Sequence, residues 1–165
     1  MDAGRAGASQ LTRREDVIMT LQSIRRTRDD RVAAGIRIAL GVIFVVAGIM
    51  KLVVPTLGAA FAGQLAGANI PLQELNRWVV PLIEVGVGGA LLIGFYTRIA
   101  TLFVFGIMIV ATYVHLVVDD PSLFPLQPEE PIIPAVVMIL SVYVLLRGGG
   151  SGSSDLRASG GADPF

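Results

Sequence analysis

The chain has 165 residues, of which 53% are hydrophobic and only 16% are charged, and its acidic and basic residues balance to a net charge of zero. A soluble domain carries about 25% charged residues, so this composition favours an integral membrane protein. The absence of cysteine excludes disulfides, thiolate-held iron–sulfur clusters and a cysteine nucleophile on this chain. The basic residues are not interleaved with aromatic ones, so nucleic acid is not an expected partner.

Residues 1–31 form a basic N-terminal segment that precedes the first apolar stretch. Within this segment, residues 17–26 place apolar side chains at helical spacing and predict a short amphipathic helix. Such a helix, followed by several arginines, is typical of a contact with anionic lipids. The simpler interpretation is a basic flank that sets the orientation of the first membrane span.

Four apolar stretches follow, and they predict an all-α, four-helix transmembrane domain over residues 32–147. They are Val32–Val54, Trp78–Tyr96, Ile99–Val118 and Ile132–Leu146. A membrane-spanning helix needs about 20 residues, so the first three are long enough and the fourth is short. The loop between the first two stretches carries apolar residues at helical spacing (Leu57, Ala60, Phe61, Leu65 and Ala68), which predict a short helix at the outer interface.

The arginines predict the orientation of these helices. With four crossings, only Lys51 and Arg77 fall toward one side, and the other basic residues fall on the opposite side. The positive-inside rule then places both termini in the cytoplasm and makes the chain a multi-pass protein of the cell membrane. Residues 148–165 are rich in glycine and serine and predict a flexible cytoplasmic tail.

Three ionisable residues lie inside the apolar stretches, namely Lys51, Glu84 and His115. Charged groups within a bilayer are costly and usually face the interior of a helix bundle. Glu84 lies six residues after Trp78, which places it about 9 Å below the outer interface. We therefore expect Lys51 and Glu84 to form a buried ion pair, with His115 and Arg77 at its rim. A single histidine does not build the usual zinc site, so no metal is expected.

Small residues predict where the helices approach one another closely. Gly41 and Gly48 lie on the same helix face as Lys51, and Gly86, Ala90 and Gly94 form a small-xxx-small line. A second set of polar residues is expected at the inner interface, where they act as ordinary anchors: Arg37, Tyr96 and Arg98.

Several motifs in this order resemble the DoxX family. They are Arg37-x3-Gly41-x2-Phe44-x3-Gly48-x2-Lys51-Leu52, then Phe61, Leu65 and Asn69-Ile70-Pro71, then Glu84-x-Gly86-x-Gly88, and finally Leu91-Leu92-x-Gly94-x2-Thr97-Arg98. The resemblance implies a small four-helix prokaryotic membrane protein, similar to a membrane subunit of a terminal quinol oxidase or a thiosulfate:quinone oxidoreductase and linked with oxidative-stress complexes. It also implies that Lys51, Glu84 and Arg98 occupy the recurring polar positions of the family.

Three functions stay open at this point. The first is a membrane subunit of a redox assembly that binds a quinone or a small oxyanion near Lys51, Glu84, Arg77 and His115. The second is a small proton-coupled transporter, because buried Lys, Glu and His also build proton relays. The third is an assembly or scaffold factor without its own chemistry. The expected partners are the lipid bilayer, other membrane or peripheral redox proteins and a second copy of the chain. Quinone is the candidate cofactor, and no covalently bound cofactor is expected.

Overall fold

The computed structural model describes residues 27–119 and 130–159, which form helices and contain no strand. The helices are α1 (Arg31–Val53), α2 (Pro55–Gly67), α3 (Gln73–Ile93), α4 (Thr97–Val117), α5 (Ile132–Arg147) and α6 (Ser154–Ala158). The all-α prediction is confirmed over these residues. The amphipathic helix expected at residues 17–26, and most of the proline-rich loop before α5, lie outside the described residues.

Three of the helices, α1, α3 and α4, are long and apolar enough to cross a membrane. The fourth apolar helix, α5, has 16 residues. At about 1.5 Å per residue it extends roughly 24 Å, which is less than the roughly 30 Å hydrocarbon core of a bilayer. The chain is therefore a helical membrane protein with three candidate spans. The fourth crossing and the cytoplasmic position of both termini stay predictions.

Two helix pairs build the packed unit. Helix α1 packs mainly along α3, and α4 packs mainly along α5, while contacts of α3 with α4 and of α1 with α5 join the pairs. The core between them contains Leu40, Phe44, Leu91, Val104 and Val144, all of which are buried. The outward faces carry many exposed branched and aromatic side chains, as expected for surfaces that face lipid.

Glycine allows the backbones of α1 and α3 to approach closely. A Cβ atom added to Gly88 would lie 2.7 Å from the backbone nitrogen of Val45 and 2.8 Å from the Gly41 carbonyl oxygen. A Cβ atom on Gly48 would lie 2.7 Å from the Pro81 carbonyl oxygen. Gly86, the first residue of the predicted small-residue line, takes no part in this approach, because a Cβ atom there meets nothing within 4 Å. The close approach instead follows Gly88, which shares a face with Glu84.

The helix expected in the loop after α1 is present as α2. The chain turns at Val54, which has an extended backbone conformation, and Pro55 opens the new helix. Leu65 and Ala68 are buried, and α2 contacts α1, α3 and α4. Helix α2 therefore lies against the end of the packed unit where α1 and α4 finish.

The C-terminal segment differs from the predicted flexible tail. Over residues 148–159 the chain makes tight turns and the short helix α6, and Ser153 and Asp155 are fully buried. Gly148, Gly150 and Gly152 have positive φ angles, a conformation that glycine adopts without steric cost. The glycines therefore serve the turns that dock this segment, and the expectation of a flexible tail is corrected for residues 148–159.

Candidate functional site

A buried ion pair joins α1 to α3. The ammonium nitrogen of Lys51 lies 2.6 Å from Oε1 and 2.7 Å from Oε2 of Glu84, so it donates to both carboxylate oxygens. The side chains are only 11% and 5% exposed, respectively. Removing one partner from such a pair leaves an uncompensated buried charge, which typically costs about 3–5 kcal/mol. Each charged group is therefore stable in its buried position only when the other is present.

The local sequence explains why these two side chains meet. Gly48 precedes Lys51 by almost one helical turn on α1, and it has no side chain between the two helices. A Cβ atom placed on Gly48 would lie 3.1 Å from the Cβ atom of Glu84. Gly48 thus leaves room for Glu84 to enter the interface, where Lys51 reaches it from the last turn of α1.

An aromatic ring from α2 completes the site. The ammonium nitrogen of Lys51 lies 4.9 Å from the centre of the Phe61 ring, which is a cation–π distance. The sequence placed Phe61 among the apolar positions of the predicted loop helix, without a role beside Lys51. That helical spacing was the signal in the sequence. It did not reveal the contact with Lys51, because the ring reaches the ammonium group only when α2 folds back onto α1.

The other two residues predicted for this site lie on α3 and α4. Nη1 of Arg77 lies 3.5 Å from Oε2 of Glu74, on an exposed part of α3, and its guanidinium group stacks on Trp78 at 5.1 Å. Arg77 therefore engages groups of its own helix, and its place at the rim of the ion pair stays a prediction. His115 is half-buried in the last turn of α4, at the same end of the molecule as Lys51. Within residues 27–119 and 130–159, no cluster of three metal-ligating side chains occurs.

The expected interface anchor Arg37 is instead a buried connector. It is 2% exposed, and its Nε donates to the Gly149 carbonyl oxygen at 2.7 Å. Its Nη1 donates to the carbonyl oxygens of Leu92, at 2.8 Å, and of Leu91. Arg37 therefore ties α1 to the C-terminal end of α3 and to the C-terminal segment. The sequence did not distinguish this role from that of an anchor because both place an arginine near a helix end.

Tyr96, Arg98 and Gly94 lie at the same end of the molecule as Arg37. Tyr96 precedes α4 in a left-handed conformation, and its backbone N–H donates to Oδ1 of Asp155 at 3.0 Å. The backbone N–H of Thr97 donates to Oδ2 at 2.7 Å, so Asp155 caps α4 from a distant part of the chain. Arg98 donates to the Leu146 carbonyl oxygen at 3.4 Å, and Gly94 packs against Ser153.

The two ends of the molecule thus offer different chemistry. At the Arg37 end, the guanidinium group of Arg37 and the carboxylate of Asp155 form hydrogen bonds with backbone groups. This arrangement fastens chain segments together. At the other end, the Lys51 ammonium group donates hydrogen bonds, and the Glu84 carboxylate accepts them and can take up a proton. Among the ion pairs of the described residues, Lys51–Glu84 is the least exposed, and the Phe61 ring covers it. The Lys51–Glu84–Phe61 cluster is called the outer cluster below, after the side of the membrane that the sequence predicts for it.

A known protein family matches the part of the chain that runs from α1 to α4. The family model for DoxX matches residues 32–116, which include nearly all of α1 and α4 and the whole of α2 and α3. No curated protein and no solved structure matches the chain. The family match covers more than half of the 165 residues. The chain therefore belongs to the DoxX family.

Proposed function

We propose that this DoxX protein is a membrane subunit of a redox assembly and that its outer cluster binds the headgroup of a quinone. The observation that carries the proposal is the buried contact between the Lys51 ammonium group and both oxygens of Glu84. Ionisable groups held within apolar helices most often mark a ligand or proton pathway. The apolar helices around the cluster provide a surface for the isoprenoid tail.

The chemistry of a quinone suits these side chains. Quinone carbonyl oxygens accept hydrogen bonds, and an ammonium group has three N–H donors. Two donors of Lys51 point to Glu84 and the third serves the headgroup. Forming a quinol takes two electrons and two protons. The Glu84 carboxylate takes up the protons from water one at a time and passes each to a quinone oxygen. The electrons come from the partner redox protein that the proposal includes.

Fluorescence of Trp78 tests quinone binding directly. Trp78 is the single tryptophan of the chain and lies on α3 about 9 Å along the helix axis from Glu84. Titrating a short-tailed quinone into the protein in lipid nanodiscs should quench this fluorescence and reach saturation. The change Glu84→Gln should abolish the saturable part, because it removes the charge that orients Lys51.

A matched control lies on the same helix. Glu74 is exposed and one turn from Trp78, so Glu74→Gln makes the same chemical change away from the outer cluster. It should leave the saturable quenching intact. If Glu84→Gln and Glu74→Gln quench alike, the signal comes from quinone dissolved in the bilayer and the proposal fails.

A second candidate function is that of a scaffold for other membrane proteins. The observation in its favour is that Lys51 satisfies both carboxylate oxygens, so the pair can specify the fold without a ligand. The double change Lys51→Met with Glu84→Leu separates the two functions. A scaffold should still copurify with the same partner from native membranes after this change, whereas a quinone-binding subunit should retain no bound quinone.

A further inference from the structure

Helix α2 closes the outer cluster at the end of the molecule. Its Phe61 ring lies over the Lys51 ammonium group, and the side chain of Lys51 is only 11% exposed. Near its start, a Cβ atom on Gly58 would lie 2.7 Å from the Lys51 carbonyl oxygen. Helix α2 is therefore folded tightly back on the last turn of α1, above the groups that a ligand must reach.

Helix α2 buries few of its own side chains against the rest of the molecule. Leu65 is the single buried residue of the helix, and Ala68 follows it at the C-cap. At the far end, the Tyr113 hydroxyl donates to the Ala68 carbonyl oxygen at 3.4 Å, which is long for a hydrogen bond. Elements with few buried apolar contacts open at a small fraction of the global free energy of unfolding.

Both ends of α2 have the features of a hinge. At the start, the extended residue Val54 separates α2 from α1. At the end, Asn69 and Leu72 have φ angles of 51° and 54°. A left-handed conformation is uncommon for a branched residue such as leucine and stores strain, which accumulates at segments that switch conformation.

We propose that α2 is a hinged lid and that the quinone headgroup reaches Lys51 and Glu84 only when α2 swings away. The proposal rests on the proposed function for the identity of the ligand. In the closed state, the Phe61 ring occupies the space next to the ammonium group. In the open state, the ring leaves, and the third N–H of Lys51 becomes available to a quinone carbonyl oxygen.

A reversible disulfide locks the lid. A Cβ atom on Gly67 would lie 3.4 Å from Cγ2 and 3.5 Å from Cγ1 of Val118, so the side chains of cysteines at these two positions lie in contact and can be joined by oxidation. The chain has no cysteine of its own, so Gly67→Cys with Val118→Cys introduces the only thiols. Each single cysteine variant, treated with the same oxidant, is the control.

Lys51 reports lid opening without any ligand, because it is the only lysine of the chain. An amine-reactive ester acylates Lys51, and mass spectrometry measures the rate. The rate should fall at least about tenfold on oxidation of the double variant, because Lys51 reacts only in the minor open state and the disulfide prevents opening. Reduction should restore the rate. Equal rates in the locked and reduced forms would overturn the lid.

The same variant tests the route of the ligand. The reduced form should show saturable quinone quenching of Trp78, and the oxidised form should lose it. Equal quenching in both forms would overturn the lid as the entry route while the proposed function stands. If the reduced form fails to bind quinone, the proposed function fails, and the acylation rates still decide whether α2 opens.

Phe61→Leu gives a second measurement that needs no disulfide. It keeps an apolar side chain but removes the ring face, and with it the cation–π contact that favours the closed state. Acylation of Lys51 should therefore become roughly two- to fivefold faster, which corresponds to the usual strength of such a contact. Phe95→Leu makes the same change at the opposite end of the molecule, where the ring of Phe95 packs on Tyr96, and should leave the rate unchanged. Equal rates for the two variants would contradict the role of Phe61 in closing the lid.

Discussion

At the residue scale, the Lys51–Glu84 pair is the clearest case of mutual dependence. Each charge sits among apolar helices and has the other as its counter-ion at 2.6–2.7 Å. Burying a pair costs desolvation energy that the attraction offsets only when both partners are present. The stability of the fold should therefore respond to the loss of one charge differently from the loss of both.

A double-mutant cycle measures this dependence. Glu84→Leu alone should lower the free energy of unfolding by about 3–5 kcal/mol, because it leaves the Lys51 ammonium group buried and unpaired. Combining it with Lys51→Met should recover most of that loss, since two apolar side chains of similar volume then fill the space. Unfolding in detergent micelles, followed by circular dichroism, gives both values. Additive losses in the double variant would contradict the buried pair.

At the element scale, the helix ends at the Arg37 side of the molecule depend on residues far along the chain. Asp30 caps α1 by accepting from the backbone N–H groups of Val32 and Ala33 at 2.8 and 3.0 Å. Its other oxygen accepts from the Tyr143 hydroxyl at 3.1 Å, which ties α1 to α5. One carboxylate thus serves both a local cap and a contact between helices.

The Asp30 cap has a defined pH dependence. The hydrogen bond from the Ala33 N–H holds the pKa of Asp30 below its ordinary value of 3.8, with further help from Tyr143, Val32 and Arg147 against the opposing effect of burial. The carboxylate therefore stabilises the fold above pH 3.8, and this contribution is lost as the pH falls through the lowered pKa.

Melting curves over a range of pH test this dependence. Wild type should melt at a higher temperature than Asp30→Asn at pH 5 and above, and the difference should disappear in stronger acid. Asp29→Asn is the neighbouring control, because Asp29 is exposed and binds only the Ser151 hydroxyl among the described contacts. A difference that stays constant into strong acid would contradict the role of the ionised cap.

At the scale of the whole molecule, the sequence predicts the apolar helices well and the docking of the C-terminal segment not at all. Helix positions follow from hydrophobic runs, and the expectation that Lys51 and Glu84 meet follows from counting residues along those helices. Glycine and serine, in contrast, are common both in flexible linkers and in tight turns. Only the three-dimensional structure shows that Gly149 meets Arg37 and that Asp155 meets the start of α4.

The docked C-terminal segment joins distant parts of the chain. The Gly149 carbonyl oxygen accepts from Arg37, and its N–H donates to the Thr27 hydroxyl at 2.7 Å. Asp155 accepts from two N–H groups at the start of α4, and its own N–H donates to the Gly94 carbonyl oxygen at 3.0 Å. Residues 148–159 therefore fasten α1, the α3–α4 turn and the segment before α1 together.

Truncation tests how far the fold depends on this segment. Ending the chain after Arg147 removes the Gly149 acceptor of Arg37 and the Asp155 cap of α4. Losing a helix cap alone costs about 1–2 kcal/mol, and an unsatisfied buried donor adds about 1–3 kcal/mol. The truncated protein should therefore melt at a clearly lower temperature in detergent. Ending the chain after Ser159 keeps every contact described for the segment and should melt like the full chain, so equal melting of the two truncated forms would show that the docked segment contributes nothing to stability.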